Sequence, residues 1–564
     1  MSRILFLCFV ISLLPTCKQT PEPANHAPVK SAVEENGMVV TAHPLATEIG
    51  VQILKSGGNA VDASIAVQFA LAVCFPVAGN LGGGGFMLYR SAQGQVAALD
   101  YRESAPALSS KDMYLDEKGN AVTERSLYGH LACGIPGTVA GLYEAFQKYS
   151  QLKDWKTLVE PAILLAKKGV VLTAKEADGL NDNRDLFLMV NKESTVFTDK
   201  VWKEGDLLIQ ADLAKTLERI RDHGKDGFYK GETAKYIVEE MKNGGGIISG
   251  DDLANYQAKW RTPLSTTYRG YKVHLMPPPS SGGVALIQLL ESVEPFDIRN
   301  MGFQSVATIH LMAEAERRVY ADRSRHLGDS DYYRVPVKGL TDSTYIATRM
   351  KNFDQKHAGR STEMEAGQPK ESDQTTHLSI VDKDGNAVAV TTTLNGGYGS
   401  SVVVRGAGFI LNNEMDDFSV KPGVANLYGL IGAEANKIEP GKRMLSSMTP
   451  TIVEKDGKLR LVVGTPGGST IITSVFQTIV NILDFQMDPA DAVARPRFHH
   501  QWLPDSIQVE KGGLSDTVIA QLKTKGHGFK FRQPYGRVEA IYVTPDGKLH
   551  GGADPRGDDH AAGY

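Results

Sequence analysis

The sequence predicts an α+β protein built mainly on antiparallel sheets, and three observations carry that prediction. A turn signature, X-Asp-Gly, recurs at Lys383-Asp384-Gly385, Lys455-Asp456-Gly457 and Pro545-Asp546-Gly547 between strand-like runs, with Ala92-Gln93-Gly94 as a weaker copy. A type I turn followed by a left-handed Gly closes a three-residue hairpin loop, so each copy joins two antiparallel strands. Apolar residues at helical spacing fill 158–168, 213–223, 233–243 and 306–323. Glycine makes up 57 of 564 residues and clusters instead of repeating, which marks tight backbone approaches and excludes collagen.

Length and charge narrow the class further. A chain of 564 residues exceeds what one core usually serves. With 42% hydrophobic residues, 22% charged residues and a net charge of -4, it can bury a core and is not held open by self-repulsion. Its 61 Lys and Arg are outnumbered by 65 Asp and Glu, with no long basic run, so a nucleic-acid partner is not expected.

In chain order, Met1-Ser2-Arg3 and the apolar run 4–14 read as a secretory signal, too short to span a membrane. Export to a bacterial periplasm or the medium is therefore expected. Leu13-Leu14-Pro15-Thr16-Cys17 resembles a loose lipoprotein cleavage box, so lipid attachment at Cys17 and ordinary signal cleavage, with residues 1–17 removed, both stand open. A Pro- and Ala-rich flexible leader is expected over 18–37, and the folded body from Met38. Helices are expected over 46–55 and 60–72, the second capped by Asn59. A hairpin follows Asn80-Leu81-Gly82-Gly83-Gly84-Gly85. The run Met276-Pro277-Pro278-Pro279 must be a rigid extended loop leading into a helix. Residues 355–374 have the composition of an exposed connector, and strands begin after Gln374. Cys74 and Cys133, the two cysteines of the body, are read either as a pair or as buried free thiols.

The turns fix registers. With Lys383-Asp384-Gly385 as the loop, Asp382 faces Asn386 and Thr375 falls opposite Thr393. With Ala92-Gln93-Gly94 as the loop, Arg102 falls opposite Gly84, leaving room for its side chain above a glycine.

Familiar catalytic patterns are absent: there is no Gly-x-x-x-x-Gly-Lys-[Ser/Thr], no Gly-x-Ser-x-Gly and no His-Glu-x-x-His. His499-His500 is the one histidine pair and reads as structural, so neither a metal nor a cofactor is expected. What remains is Gln374-Thr375-Thr376-His377-Leu378-Ser379, with Asp382-Lys383-Asp384-Gly385-Asn386-Ala387-Val388, Leu411-Asn412-Asn413-Glu414-Met415-Asp416-Asp417-Phe418, Pro440-Gly441-Lys442-Arg443-Met444-Leu445-Ser446-Ser447-Met448 and Gly464-Thr465-Pro466-Gly467-Gly468-Ser469. These motifs resemble the gamma-glutamyltransferase (glutathione hydrolase) family of N-terminal nucleophile hydrolases, from about residue 38 to residue 564.

That resemblance implies a four-layer αββα sandwich and self-cleavage between Gln374 and Thr375. The products are a large chain, 38–374, and a small chain, 375–564, which remain together as a heterodimer. Thr375 becomes nucleophile and new N-terminus, and its own α-amino group, titrating near ~7.7–8.0, can act as general base. Thr393 orients the Thr375 hydroxyl, and the Gly467-Gly468 amides form the oxyanion site. A γ-glutamyl donor such as glutathione brings an α-carboxylate, matched to Arg102, and an α-ammonium, matched to Asp417 and Glu414. Asn395, Ser446 and Ser447 match further substrate contacts. Tyr428 lies where many bacterial members have a loop covering the pocket. The acyl group would pass to water or to an amino acid or peptide. A related β-lactam acylase, or a secreted binding protein without activity, are the alternatives; Arg102 with Asp417 argues for an amino-acid head group.

Overall fold

The computed structural model describes residues 29–363, 375–421 and 423–564. The signal segment, Cys17, most of the connector and Gln374 lie outside them. Two seven-stranded sheets form the centre of the molecule. The first runs His560–Gly563, Met38–Thr41, Thr376–Val381, Ala387–Thr393, Gly84–Arg90, Val96–Tyr101, Lys259–Arg261; the second runs Lys30–Glu34, Leu549–Ala553, Glu539–Val543, Lys458–Gly464, Thr451–Lys455, Tyr271–Leu275, Leu264–Tyr268. Every pairing within them is antiparallel.

Strand alternation sorts the side chains into layers. Met38, Val40, Phe86, Leu88, Ala387 and Ala389 from the first sheet meet Ile452, Val462 and Ile541 from the second in one buried cluster between the sheets. The intervening residues point outward: Val39, Met87, Leu378 and Val388 pack against Pro44–Lys55, Ala60–Cys74 and Trp155–Lys168. On the far side Val273, Val453, Leu461 and Val463 pack against Gly282–Val293, Val306–His326 and Ile471–Leu483. The result is the αββα sandwich. Ala60–Cys74 is buried along its whole length, which explains why its composition is apolar on every face. Asn59 caps it through Val61 N and Asp62 N, and Asp62 returns a bond to the Asn59 amide.

The expected helices at 158–168, 213–223, 233–243 and 306–323 lie inside Trp155–Lys168, Ala211–His223, Gly231–Gly244 and Val306–His326. Cys74 and Cys133 are buried free thiols. Two expectations need correction. The chain is already a strand at Lys30–Glu34, paired with Leu549–Ala553, so the leader does not extend to residue 37. Lys455-Asp456-Gly457 is not a three-residue loop: Lys455 pairs with Lys458, and Asp456 and Gly457 form a two-residue turn with φ of 53° and 73°. Asp tolerates the left-handed region well enough to take the second such position. The compensating bulge sits at Val453/Glu454. Lys383–Gly385 and Pro545–Gly547 close as expected, with Asp382 N bonding Asn386 O at 3.0 Å and Thr544 N bonding Lys548 O at 2.9 Å.

Candidate active site

Thr375 immediately precedes the strand Thr376–Val381, third in the first sheet. The observed pair Thr376↔Thr392 carries the register one step further to Thr375 opposite Thr393, and their Oγ1 atoms are 3.4 Å apart. Thr393 Oγ1 accepts the Asn395 amide at 2.7 Å, which leaves its own proton to donate toward Thr375. Asn395 is held at φ 74° and donates its side-chain amide to Asn413 O at 3.0 Å; its Oδ1 is buried with no donor among the described residues. Asn80 locks this edge from the neighbouring loop. It donates to Thr392 Oγ1 at 3.2 Å and Thr393 O at 3.0 Å, and it accepts Gly83 N and Thr138 Oγ1.

Thr375, Thr393, Asn395, Arg102, Glu414, Asp417, Ser446, Ser447, Tyr428 and Gly468 line one cavity. Gly467 sits one residue behind, with φ of 137°, followed by Gly468 at 52°, so the turn presents backbone at the cavity wall. A Cβ on Gly468 would lie 2.1 Å from the Tyr428 ring. The ring therefore lies directly on the turn. Tyr428 also donates its hydroxyl to Asn395 O, and the segment around it is tied down from below. Asp416 accepts Leu427 N at 2.6 Å, and Asn426 bridges Asp417 at 2.8 Å to the amides of Tyr428 and Leu430, both at 3.0 Å. The free space in the cavity is about 20 Å³, room for little more than one water molecule, and Tyr428 is the residue of segment 423–432 that stands on its wall.

The head-group end is charged. Arg102 is fully buried; its Nη2 bonds Asp417 Oδ2 at 2.5 Å, and its Nη1 lies 2.6 Å from Glu414 Oε2, close as an ion pair but not aligned as a hydrogen bond. Burial opposes the guanidinium charge, but Glu414, Glu103 and Asp417 outweigh it and hold its pKa above the ordinary value. Burial pushes Glu103 up to about 7 and Glu414 well above the carboxylate range, against the pull of Arg102. Two expectations about Arg102 are corrected here. The space over Gly84 is taken by Tyr101 O and the Glu103 carboxylate, 2.5 and 2.7 Å from where a Cβ would stand, and Arg102 turns away from it. Arg102 also does not face the acids across the pocket; it pairs with them, because a buried guanidinium without an anion is costly.

Ser446 Oγ accepts Met448 N at 3.1 Å, and Ser447 Oγ accepts Arg323 Nη2 at 2.9 Å. Each hydroxyl therefore keeps its proton to donate into the cavity, which suits a carboxylate. Sequence reasoning missed Arg323, Asn80 and Asn426. Arg323 and Asn80 lie far along the chain from the groups they hold, so only a contact reveals them, whereas Asn426 holds Tyr428 and Leu430 through a local turn. His499 and His500 are structural: His499 Nδ1 faces Thr473 Oγ1 at 2.8 Å, and His500 Nδ1 accepts Trp502 N at 3.0 Å. Among the described residues no group of three or more His, Cys, Asp or Glu is placed to hold a metal.

An αββα sandwich of antiparallel sheets, with a Thr at the head of a central strand facing a glycine turn, defines an N-terminal nucleophile hydrolase. The family model described as Gamma-glutamyltranspeptidase matches residues 46–564, and the chain belongs to that family. It is 50% identical over 555 residues to the glutathione hydrolase proenzyme of Escherichia coli (strain K12), covering 95% of each chain. Among solved structures it is similar to a cephalosporin acylase from Bacillus halodurans, with TM-score 0.83 and 26% identity over 98% of this chain and 99% of that one. It is also similar to Helicobacter pylori gamma-glutamyltranspeptidase, with TM-score 0.56 and 41% identity over 61% of this chain and 97% of that one.

Proposed function

We propose that this chain is a self-processing γ-glutamyltransferase and glutathione hydrolase. The observation that carries the reading is one cavity with the Thr375 hydroxyl at one end and the buried Arg102, Glu414 and Asp417 cluster at the other. In the precursor the Thr375 hydroxyl attacks the Gln374 carbonyl, and water resolves the resulting ester. The two chains, ending at 374 and starting at 375, stay together because strands of both interleave in each sheet.

In the cleaved enzyme the Thr375 amino group takes the proton of its own hydroxyl as Oγ1 attacks the γ-carbonyl. The Gly467-Gly468 amides receive the oxyanion, and the same amino group returns the proton to the leaving amine. The γ-glutamyl ester then passes to water or to an amino acid or peptide amine. Arg102, Ser446 and Ser447 hold the α-carboxylate; Asp417 and Glu414 hold the α-ammonium. Binding inserts the donor's two charges into an existing ion cluster and exchanges partners in place, which limits the desolvation cost. An acyl group without an amino-acid head would leave that cluster unanswered, which favours this reading over a β-lactam acylase. We further propose export directed by the N-terminal apolar segment, ending either in ordinary signal cleavage or in lipid attachment at Cys17.

A denaturing gel with N-terminal sequencing of the smaller band tests the processing. A fragment beginning at Thr375, with turnover of γ-glutamyl-anilide, is the expected result. A fragment beginning elsewhere, or an intact chain without turnover, would overturn it.

A further inference from the structure

The residue that follows the histidine pair occupies a position the mechanism above leaves unused. Gln501 is buried, and its side-chain amide bridges two segments that lie apart in sequence. Its Oε1 accepts the Ser469 hydroxyl at 2.8 Å and faces His499 Nε2 at 2.8 Å. Its Nε2 donates to Gly429 O at 3.1 Å, with Tyr428 O farther off at 3.5 Å. Ser469 is the residue after Gly468; Gly429 is the residue after Tyr428. One amide thus joins the turn that presents the Gly467-Gly468 amides to the segment that closes the cavity.

The Gly429 carbonyl fixes which way that amide points. Burial lowers the pKa of His499 to about 3, so its ring is neutral. Gly429 O can only accept, so Gln501 Nε2 faces it and Oε1 faces the ring, which puts the single proton of neutral His499 on Nε2.

We propose that Gln501 is a positioning residue that couples closure of residues 423–432 to alignment of the Gly467-Gly468 amides. The proposal rests on reading those amides as the oxyanion site. With free space for little more than one water and Tyr428 on the wall, a donor that enters displaces Tyr428 and with it the segment that carries it. Gly429 O then leaves Gln501, whose buried N–H loses its partner and whose amide is free to turn. Ser469 loses its fixed acceptor, and the Tyr428 ring lifts from Gly468 at the same time. The oxyanion donors are therefore fully aligned only after the segment has closed over the bound donor. Acyl transfer is confined to the closed state, where water is restricted.

The test uses the purified, self-cleaved protein and γ-glutamyl-anilide, with Thr375→Ala as the check that turnover belongs to the proposed site. Wild-type turnover that survives Thr375→Ala would sink the functional reading and leave nothing for Gln501 to act on. With that check passed, Gln501→Met and Ser469→Ala should each lower kcat by about tenfold with KM within about twofold of wild type, since only alignment in the reacting state is lost. The double variant should be no worse than the poorer single one, because both break the same link. In Gln501→Glu the ratio of kcat to wild type should rise as pH is lowered, since a protonated carboxyl donates again to Gly429 O; for Gln501→Met the ratio should stay flat. Should Gln501→Met fail to fold, Ser469→Ala and the nearly isosteric Gln501→Glu still decide the matter. Unchanged kcat in Ser469→Ala, additive losses in the double variant, or a change in KM alone would overturn the proposal.

Discussion

The two ends of the cavity are built from opposite materials. At the head-group end one guanidinium meets three carboxyl groups, Arg102 with the fully buried Glu103 and Glu414 and the partly exposed Asp417. At the reacting end the described residues on the cavity wall are uncharged: Thr375 and Thr393 present hydroxyls, and behind them burial holds His377 neutral, with a pKa down to about 3. His377 spends its ring nitrogens on Thr391 and Ser379 hydroxyls at 2.8 and 3.2 Å. The difference teaches a division of labour. In the proposed reaction charge selects the substrate away from the scissile bond, with Arg102 for the carboxylate and Asp417 and Glu414 for the ammonium. In that reaction the α-amino group freed at Thr375 by cleavage is the base at the reacting end.

Breaking the reacting end should have the largest effect. Thr375→Ala removes nucleophile and cleavage together, so the chain should run as a single precursor band with turnover lowered on the order of 10⁴-fold or more. Arg102→Lys breaks the charged end without changing its charge. An ammonium cannot reproduce the two-pronged pairing with Asp417 and Glu414, so kcat/KM on γ-glutamyl-anilide should fall roughly a hundredfold. The gel should still show two bands, because self-cleavage uses only the other end.

A third change sharpens the contrast through pH. Burial raises Asp416 to about 7, against the hydrogen bonds it accepts from Ser126 and Leu427. In the unfolded chain the same carboxyl titrates near ~3.9. The folded state therefore holds this proton more tightly, and stability falls as pH rises from about 4 to about 7, then levels. Asn can accept Leu427 N and donate to Ser126 Oγ, so Asp416→Asn should match wild type in thermal unfolding at pH 4 and exceed it at pH 8, by on the order of 2 kcal/mol. A constant difference across that range would remove Asp416 from the account. The smallest effect is expected at Thr393→Val. It keeps the strand and loses one neutral hydroxyl bond, and it should lower kcat about tenfold while leaving head-group binding, read as KM, within about twofold.

Much of this contrast was legible in the sequence at the reacting end and little at the charged end. The reason is geometric. In an antiparallel pair the turn fixes every opposed residue, so Lys383-Asp384-Gly385 was enough to bring Thr375 to Thr393, as observed. The same logic placed the hairpin Gly84–Arg90 with Val96–Tyr101 correctly, with Gly85 opposite Tyr101. It failed one residue later, because Arg102 lies past the strand end, where alternation no longer dictates side-chain direction. Glu103, not Arg102, fills the space at Gly84. The Lys455 turn was misread because Asp and Gly together satisfy two kinds of loop, and only backbone angles separate them. Arg323 and Gln501 carried no sequence signal, since Ser447, Ser469 and Gly429 come near them only on folding, whereas Asn426 closes a local turn onto Tyr428 and Leu430 that its residue type allows.

The account stands on Thr375 Oγ1 as the atom that receives the γ-glutamyl group. The most direct measurement is the intact mass of both chains after turnover of a γ-glutamyl donor is quenched in acid. The account predicts a small chain, residues 375–564, heavier by one glutamyl residue, with the adduct mapping to Thr375 and lost on incubation with an amine acceptor. A glutamyl adduct on the large chain, or on any residue of the small chain other than Thr375, would contradict it.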